Sequence, residues 1–470
     1  MNPIKNWLKS LSVTTVNVIV ALFFFVVTAK ITNPQFFGKV AIIQLLEVIV
    51  SAVFFFIPGS IVTREVAYTY ARNEHKPYVE KFLAIPFLAL PFLLVLLFLP
   101  TYVKLAIPYL FLYLFTAVEN SIMVGMDMFT ENAITGITFI IIRWGVAIIA
   151  VLMRDIYMFI GVWTTGGVIS VSLNYIFLTR KLGELIAPHF DFNFLKRAFR
   201  EGLPLFLSNT AGFLSSQGDR VTTAYLLGSY YLGIYQFSAL VASVPSMFLS
   251  SLSNVILPTA SFYKALGKDE RRMSSISFRV TSLLTLLIIM LSVPLGEIII
   301  THFFPDYASG IPAFTLLLMA SVLPFPISSL TNFIVAFKRD LRPFLVLTVL
   351  NASTVLITSF LLIPRIGIIG GAISQVIVAI VSSLFTVFYA LRTKVFFPTF
   401  KEYVILSIIP LVGVYEVFID PRWLDLILFL TLILIFKFLG IIERDYVELI
   451  KGFLPQKLAF VYKVLRVLSK

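Results

Sequence analysis

The chain has 470 residues, 59% of them hydrophobic and 13% charged, about half the charge that a soluble domain carries. With 47 Phe and 15% aromatic residues, soluble and disordered chains are excluded; with no Cys, so are disulfides and thiolate metal sites. His75, His189 and His302 stand far apart in sequence and no GxxxxGK[ST] or GxGxxG loop occurs, so neither a metal site nor a nucleotide cofactor is expected.

A helix crossing the bilayer core needs about 20 largely apolar residues. In chain order such runs predict fourteen spans: 11–32, 40–63, 82–103, 105–126, 133–153, 156–179, 203–227, 229–257, 276–303, 310–336, 343–363, 368–391, 403–420 and 423–441. Gly228 to Gly233 form the expected tight turn between the seventh and eighth. The first span follows Lys5 and Lys9, with no small-x-small cleavage site before Lys30, and reads as a retained anchor.

The basic residues test this map through the positive-inside rule. With the N-terminus in the cytoplasm, 29 Lys and Arg fall in cytoplasmic segments and six in external loops (Lys30, Lys39, Lys104, Arg154, Arg365 and Arg422). The chain is therefore expected in the cell membrane with both termini in the cytoplasm. The net charge of +13 is topological, and no nucleic-acid partner is needed to explain it. Two basic stretches are predicted to lie on the inner leaflet as amphipathic helices. One sets Phe192, Leu195, Phe199 and Leu203 against Lys196, Arg197 and Arg200; the other is the tail after Glu443.

Residues 37–100 resemble 232–294, with Phe37-Gly38 aligned to Leu232-Gly233 and helices ending at Pro100 and Pro294. Each copy spans an even number of helices, so the halves form a parallel repeat, an arrangement of transporters with the substrate site between lobes. The expected architecture is an all-α integral membrane protein. It comprises an N-lobe of six helices (1–180), an amphipathic linker (181–202), a C-lobe of six (203–392), an added helix pair (402–441) and a cytoplasmic tail (442–470). One chain encloses both lobes, so a monomer is expected.

Four stretches carry a family resemblance: Ile31-Thr32-Asn33-Pro34-Gln35-Phe36-Phe37-Gly38; Gly202-Leu203-Pro204-Leu205 running on to Gly218-Asp219-Arg220 and Leu232-Gly233-Ile234-Tyr235; Ile256-Leu257-Pro258; and Leu362-Ile363-Pro364-Arg365-Ile366-Gly367 to Ala372. In their order and spacing the chain resembles the polysaccharide-transport (Wzx-type) flippases of the MOP superfamily, which also holds MATE exporters and lipid II flippases. The resemblance implies a transporter, not an enzyme. It would move a polyprenyl-(di)phosphate-linked oligosaccharide from the inner to the outer leaflet by alternating access of two lobes. Many members have twelve helices, and the added pair is a departure.

An ionisable residue inside a span costs about 2.5–3.5 kcal/mol on insertion scales and is a functional candidate. Arg143 falls near the middle of the fifth span and Arg220 in the seventh. A lipid diphosphate suits a permanently charged planar fork, so both are candidate headgroup contacts. For Arg143 an ion pair within its own lobe, such as with Glu119, is the other reading. Arg64, at the cytoplasmic end of the second span, is a third headgroup candidate or an ordinary topological charge. Asp219 and Arg220 point about 100° apart on one helix, so each needs its own partner. Asp219, Glu119 and Glu47 are candidates for ion pairs or for coupling to a proton or sodium ion, since energy would come from a cation gradient or the membrane potential. Glu297 follows Pro294 and Gly296 near the outer end of its span, where a kink and access to water are expected, and Glu416, in the added pair, reads as peripheral. The alternative function is a MATE-like exporter of small amphiphiles. That resemblance asks for an acidic residue in the first span, and residues 11–29 hold none.

Overall fold

The computed structural model describes residues 3–72, 74–265, 269–338, 342–418 and 424–441; the tail expected at 442–470 lies outside them. Every regular element among the described residues is helical. Eleven helices there are long and apolar enough to cross a membrane. The longest, Phe192–Ser250, joins two predicted spans, and the helical path between them breaks at Gly228 (φ 78°, ψ −172°). A positive φ of that kind is open to glycine at no steric cost. Phe400–Phe418 and Leu424–Phe438, the expected added pair, are helical but are not among the eleven. The all-helical membrane architecture stands, with eleven candidate spans, one of them broken, where fourteen were predicted.

Proline accounts for the other departures, because it removes a backbone donor and clashes with the preceding turn. The second predicted span is interrupted: Pro34–Ile49 passes through a π-turn at Val50–Phe54, and a new helix, Gly59–Tyr70, starts after Pro58. The third is split into Lys76–Phe82, Ile85–Leu88, Leu90–Leu93 and Leu94–Phe98, with Pro86 and Pro91 each in a first turn.

The chain forms two compact units, Met1–Gln217 with Leu227–Gly233, and Gly218–Leu226 with Ile234–Lys470. In the first, Thr101–Gly125 packs on Ile156–Leu182 and on Gly59–Tyr70. Its apolar core includes Val62, Phe82, Ile122, Met123 and Leu195. The segment expected to float as a separate interfacial helix is instead the start of the helix that begins at Phe192 and continues helically to Gly228. Nothing interrupts the helix from Phe192 to Gly228, and Phe194, Leu195 and Ala198 pack into this core.

In the second unit, Arg342–Ile366 and Ile368–Arg392 form a tight hairpin across Gly367. A Cβ at Gly370 would come within 2.7 Å of the Leu362 carbonyl oxygen, so only a glycine allows this approach. Phe400–Phe418 is held to Glu270–Ile298 by Glu402, which takes the Arg279 Nε hydrogen bond at 2.6 Å. Both side chains are buried, at 0% and 8% exposure. Arg279, one of the basic residues that the positive-inside map assigns to a cytoplasmic segment, is used by the fold as an anchor. Glu416, expected at the periphery, is buried.

Candidate functional site

Arg143 sits on a π-turn, Ile141–Val146, inside the first unit. Its side chain is 11% exposed and its partner is Glu47, at 5%, with Nη2 donating to Oε2 at 2.5 Å. Glu119 is therefore not the partner that the sequence suggested. The Tyr109 hydroxyl donates to the same Glu47 oxygen at 2.6 Å. Two indoles close around the guanidinium, with ring centroids 4.3 Å away for Trp144 and 4.6 Å for Trp163. Indole faces attract cations electrostatically, more strongly when desolvated. Both rings are fixed by their own N–H groups: Trp163 donates to the Arg143 carbonyl at 2.7 Å and Trp144 to Asn17 Oδ1 at 3.0 Å. The Arg143 Nε has no acceptor. A charge taken out of water needs a counter-charge and hydrogen-bond partners; Glu47 supplies the counter-charge and one hydrogen bond, and the indole faces cover the guanidinium.

Glu119 lies in the helix Thr101–Gly125 and is fully buried. Neither carboxylate oxygen has a hydrogen-bond partner. The neighbouring Asn174 amide donates to Asn120 Oδ1 at 3.1 Å.

Asp219, in the second unit, is 1% exposed. Its Oδ2 accepts a short hydrogen bond from the Tyr235 hydroxyl, while Oδ1 is unmatched. Thr223 bonds back to the Asp219 carbonyl at 2.7 Å. Gly371 packs against this group, where a Cβ would come within 3.3 Å of the Tyr235 oxygen. Arg220 follows in the same helix, half-buried. Arg64 is 55% exposed and bridges Glu65 and Glu201, each at 2.8 Å.

The fold thus joins Arg143 and Glu47, two of the six predicted site residues, in one ion pair, and Asp219 and Arg220 both lie near Tyr235. The reading from sequence passed over Tyr109, Trp144 and Trp163, and placed Tyr235 in a motif without giving it a role. A signal existed: the chain has 4 Trp, and two of them stand beside Arg143, one next to it in sequence and one in the following span.

A model of the family described as "Polysaccharide biosynthesis protein" matches residues 98–307, a stretch that includes Glu119, Arg143, Asp219 and Arg220. The chain is similar to the capsular polysaccharide biosynthesis protein CapF of Staphylococcus aureus, 28% identical over 188 residues. That match covers 38% of this chain and 46% of CapF, so it spans less than half of the relative. Among solved structures, the fold is similar to the lipid II flippase MurJ in an inward closed conformation, with TM-score 0.59 and 15% identity, over 89% of this chain and 95% of that one. It is also similar to an inward-facing multidrug MATE transporter of the MOP superfamily, with TM-score 0.56 and 14% identity, over 81% and 94%. At these identities the structural likeness shows the fold. The chain is a multi-pass membrane protein with the fold of MOP-superfamily transporters. The sequence and family matches add a likeness to polysaccharide biosynthesis proteins.

Proposed function

We propose that this chain is a flippase for a polyprenyl-(di)phosphate-linked oligosaccharide, carrying it from the inner to the outer leaflet by alternating access of two six-helix lobes. The carrying observation is the polysaccharide-biosynthesis family match across residues 98–307 on a MurJ-like fold. Glycan and carrier together are too large and too polar at one end to cross a bilayer unaided, and a guanidinium in a membrane interior is the chemistry that recognises phosphate there. In this reading Arg220, Arg143 and Arg64 contact the headgroup, Arg143 by exchanging Glu47 for phosphate. Asp219 and Glu119 are the acids available to a coupling proton or sodium ion. The protein acts as a monomer in the cell membrane with both termini in the cytoplasm, driven by a cation gradient or the membrane potential.

The test is transfer of a fluorescent polyprenyl-diphosphate oligosaccharide across proteoliposomes, wild type against Arg143→Ala and Arg220→Ala. Protein-dependent transfer that either substitution abolishes supports the function and its headgroup residues. Transfer indifferent to both refutes the residues and keeps the function. A second reading, a MATE-like exporter of small amphiphiles, draws on the fold shared with the multidrug transporter. It gains if the glycolipid does not move and drug-like cations do.

A further inference from the structure

Glu119 is the one predicted coupling residue whose carboxylate is fully buried with both oxygens unmatched; Glu47 and Asp219 each accept a hydrogen bond. It lines a cavity of about 370 Å³ inside the first unit, with Leu83, Phe115, Val171, Ser172, Tyr175, Ile176 and Pro188. Those walls are apolar apart from the Ser172 and Tyr175 hydroxyls, and the Tyr175 hydroxyl is already donated to the Ile186 carbonyl at 2.9 Å. Pro188 is an exposed residue of the loop 183–191, so the cavity borders both the surface of the unit and the Glu119 residue.

Among the described residues no counter-charge acts on Glu119. The Asn174 side chain is close enough to interact with its carboxyl, although neither oxygen meets hydrogen-bond geometry, and Arg180 and Lys181 stand in the last turn of Ile156–Leu182. On Gly59–Tyr70, Arg64 and Glu65 are bound to each other. On Pro34–Ile49, Glu47 is held by Arg143, and Lys39 lies over Tyr102. On Phe129–Ile140, Glu131 stands in the first turn. Tyr175, on Ile156–Leu182, is the other titratable group in the cavity wall. A bare carboxylate in such surroundings is far too costly. A hard metal ion is a poor fit, because it collects about six oxygen ligands and the wall offers one carboxyl and two hydroxyls. A proton needs one oxygen.

We propose that Glu119 is a proton-binding site of this transporter, loaded and unloaded through this cavity. The site rests on the geometry above; its use in coupling rests on the transporter reading.

The test uses the full chain in detergent without substrate. Dicyclohexylcarbodiimide modifies protonated carboxyl groups in apolar surroundings. The carboxyl proton passes to a carbodiimide nitrogen, the carboxylate oxygen bonds the central carbon, and an oxygen-to-nitrogen acyl shift leaves a stable N-acylurea. Peptide mass spectrometry should find the adduct on Glu119, fading as the pH rises, insensitive to added sodium chloride and lost in Glu119→Gln. Glu47, engaged by Arg143, should stay unmodified. Infrared spectroscopy gives a second readout that needs no reagent access: a protonated-carboxyl C=O band that Glu119→Gln removes. Absence of both adduct and band overturns the proposal, and so does protection by sodium. Because neither measurement involves glycolipid, failure of transfer in proteoliposomes would strike the flippase reading alone.

Discussion

Gly38 and Gly233, the two glycines that the internal repeat aligns, pack backbone to backbone. A Cβ on Gly38 would overlap the Ser229 carbonyl, and one on Gly233 would overlap the Pro34 carbonyl. A Cβ on either would also come within 3.0 Å of the other's amide nitrogen. Both positions lie within the family-like motifs, and the contact gives those motifs a physical reason. Small residues let helix backbones approach where the membrane supplies no hydrophobic drive between helices.

Gly38→Ala and Gly233→Ala should therefore each destabilise the protein by about 1–3 kcal/mol, the usual cost of overpacking a close contact. The obstacle is backbone, which cannot rotate away as a side chain can. Gly212→Ala, where a Cβ meets nothing within 4 Å, is the matched control. Thermal unfolding of the detergent-solubilised variants measures the difference, and equal melting of all three would refute the contact.

The Arg143–Glu47 pair makes a sharper distinction between bracing and function. Glu47→Gln leaves a buried guanidinium without its counter-charge and should cost about 3–5 kcal/mol. Replacing both partners together, Glu47→Leu with Arg143→Met, should restore much of that stability, since apolar residues of similar size often substitute for a buried pair without loss. Glycolipid transfer should stay abolished in the stable double variant. If transfer returns, Arg143 is a brace and not a headgroup contact.

Asp191 gives a pH dependence at the surface. The Phe194 backbone N–H, donated at 3.0 Å, and then the Lys81 ammonium at 2.9 Å hold its carboxyl below the usual carboxylate range. A depressed acid contributes stability above its unfolded pKa, and that contribution is lost as the pH falls through the folded one. The tie between Lys81 and the start of the helix at Phe192 should loosen below about pH 4, the ordinary range for Asp. Melting temperature against pH should fall more steeply in wild type than in Asp191→Asn; parallel curves would deny Asp191 this role.

How much of this was legible in the sequence follows from range. Apolar runs located the helices, because bilayer thickness acts on about twenty consecutive residues. Pro58, Pro86 and Pro91 were visible too, yet were read through, since hydropathy does not register a break. Ion partners were hidden for another reason. Glu47 meets Arg143 across 96 positions, and Glu402 meets Arg279 across 123, distances closed by helix packing and by no local rule. The sequence shows that a buried charge needs a partner and leaves its identity to the fold. Asp219 is the intermediate case, because its partner lies within the same motif that singled it out.

That partner, Tyr235, yields the last prediction. It stands 16 residues from Asp219, and the helical break at Gly228 falls between them. The hydrogen bond therefore ties two stretches of one motif inside the second unit. Tyr235→Phe keeps the ring and strips the carboxylate of its donor, which should cost about 1–3 kcal/mol because a buried acceptor is left unsatisfied. Asp219→Asn should cost less than Asp219→Ala, since the amide oxygen can still accept from the hydroxyl. If Asp219 also served as a coupling acid, Asp219→Asn would hold its stability and lose transfer; if it serves only this tie, both survive. Unfolding and transfer measured on the same three variants separate the two roles.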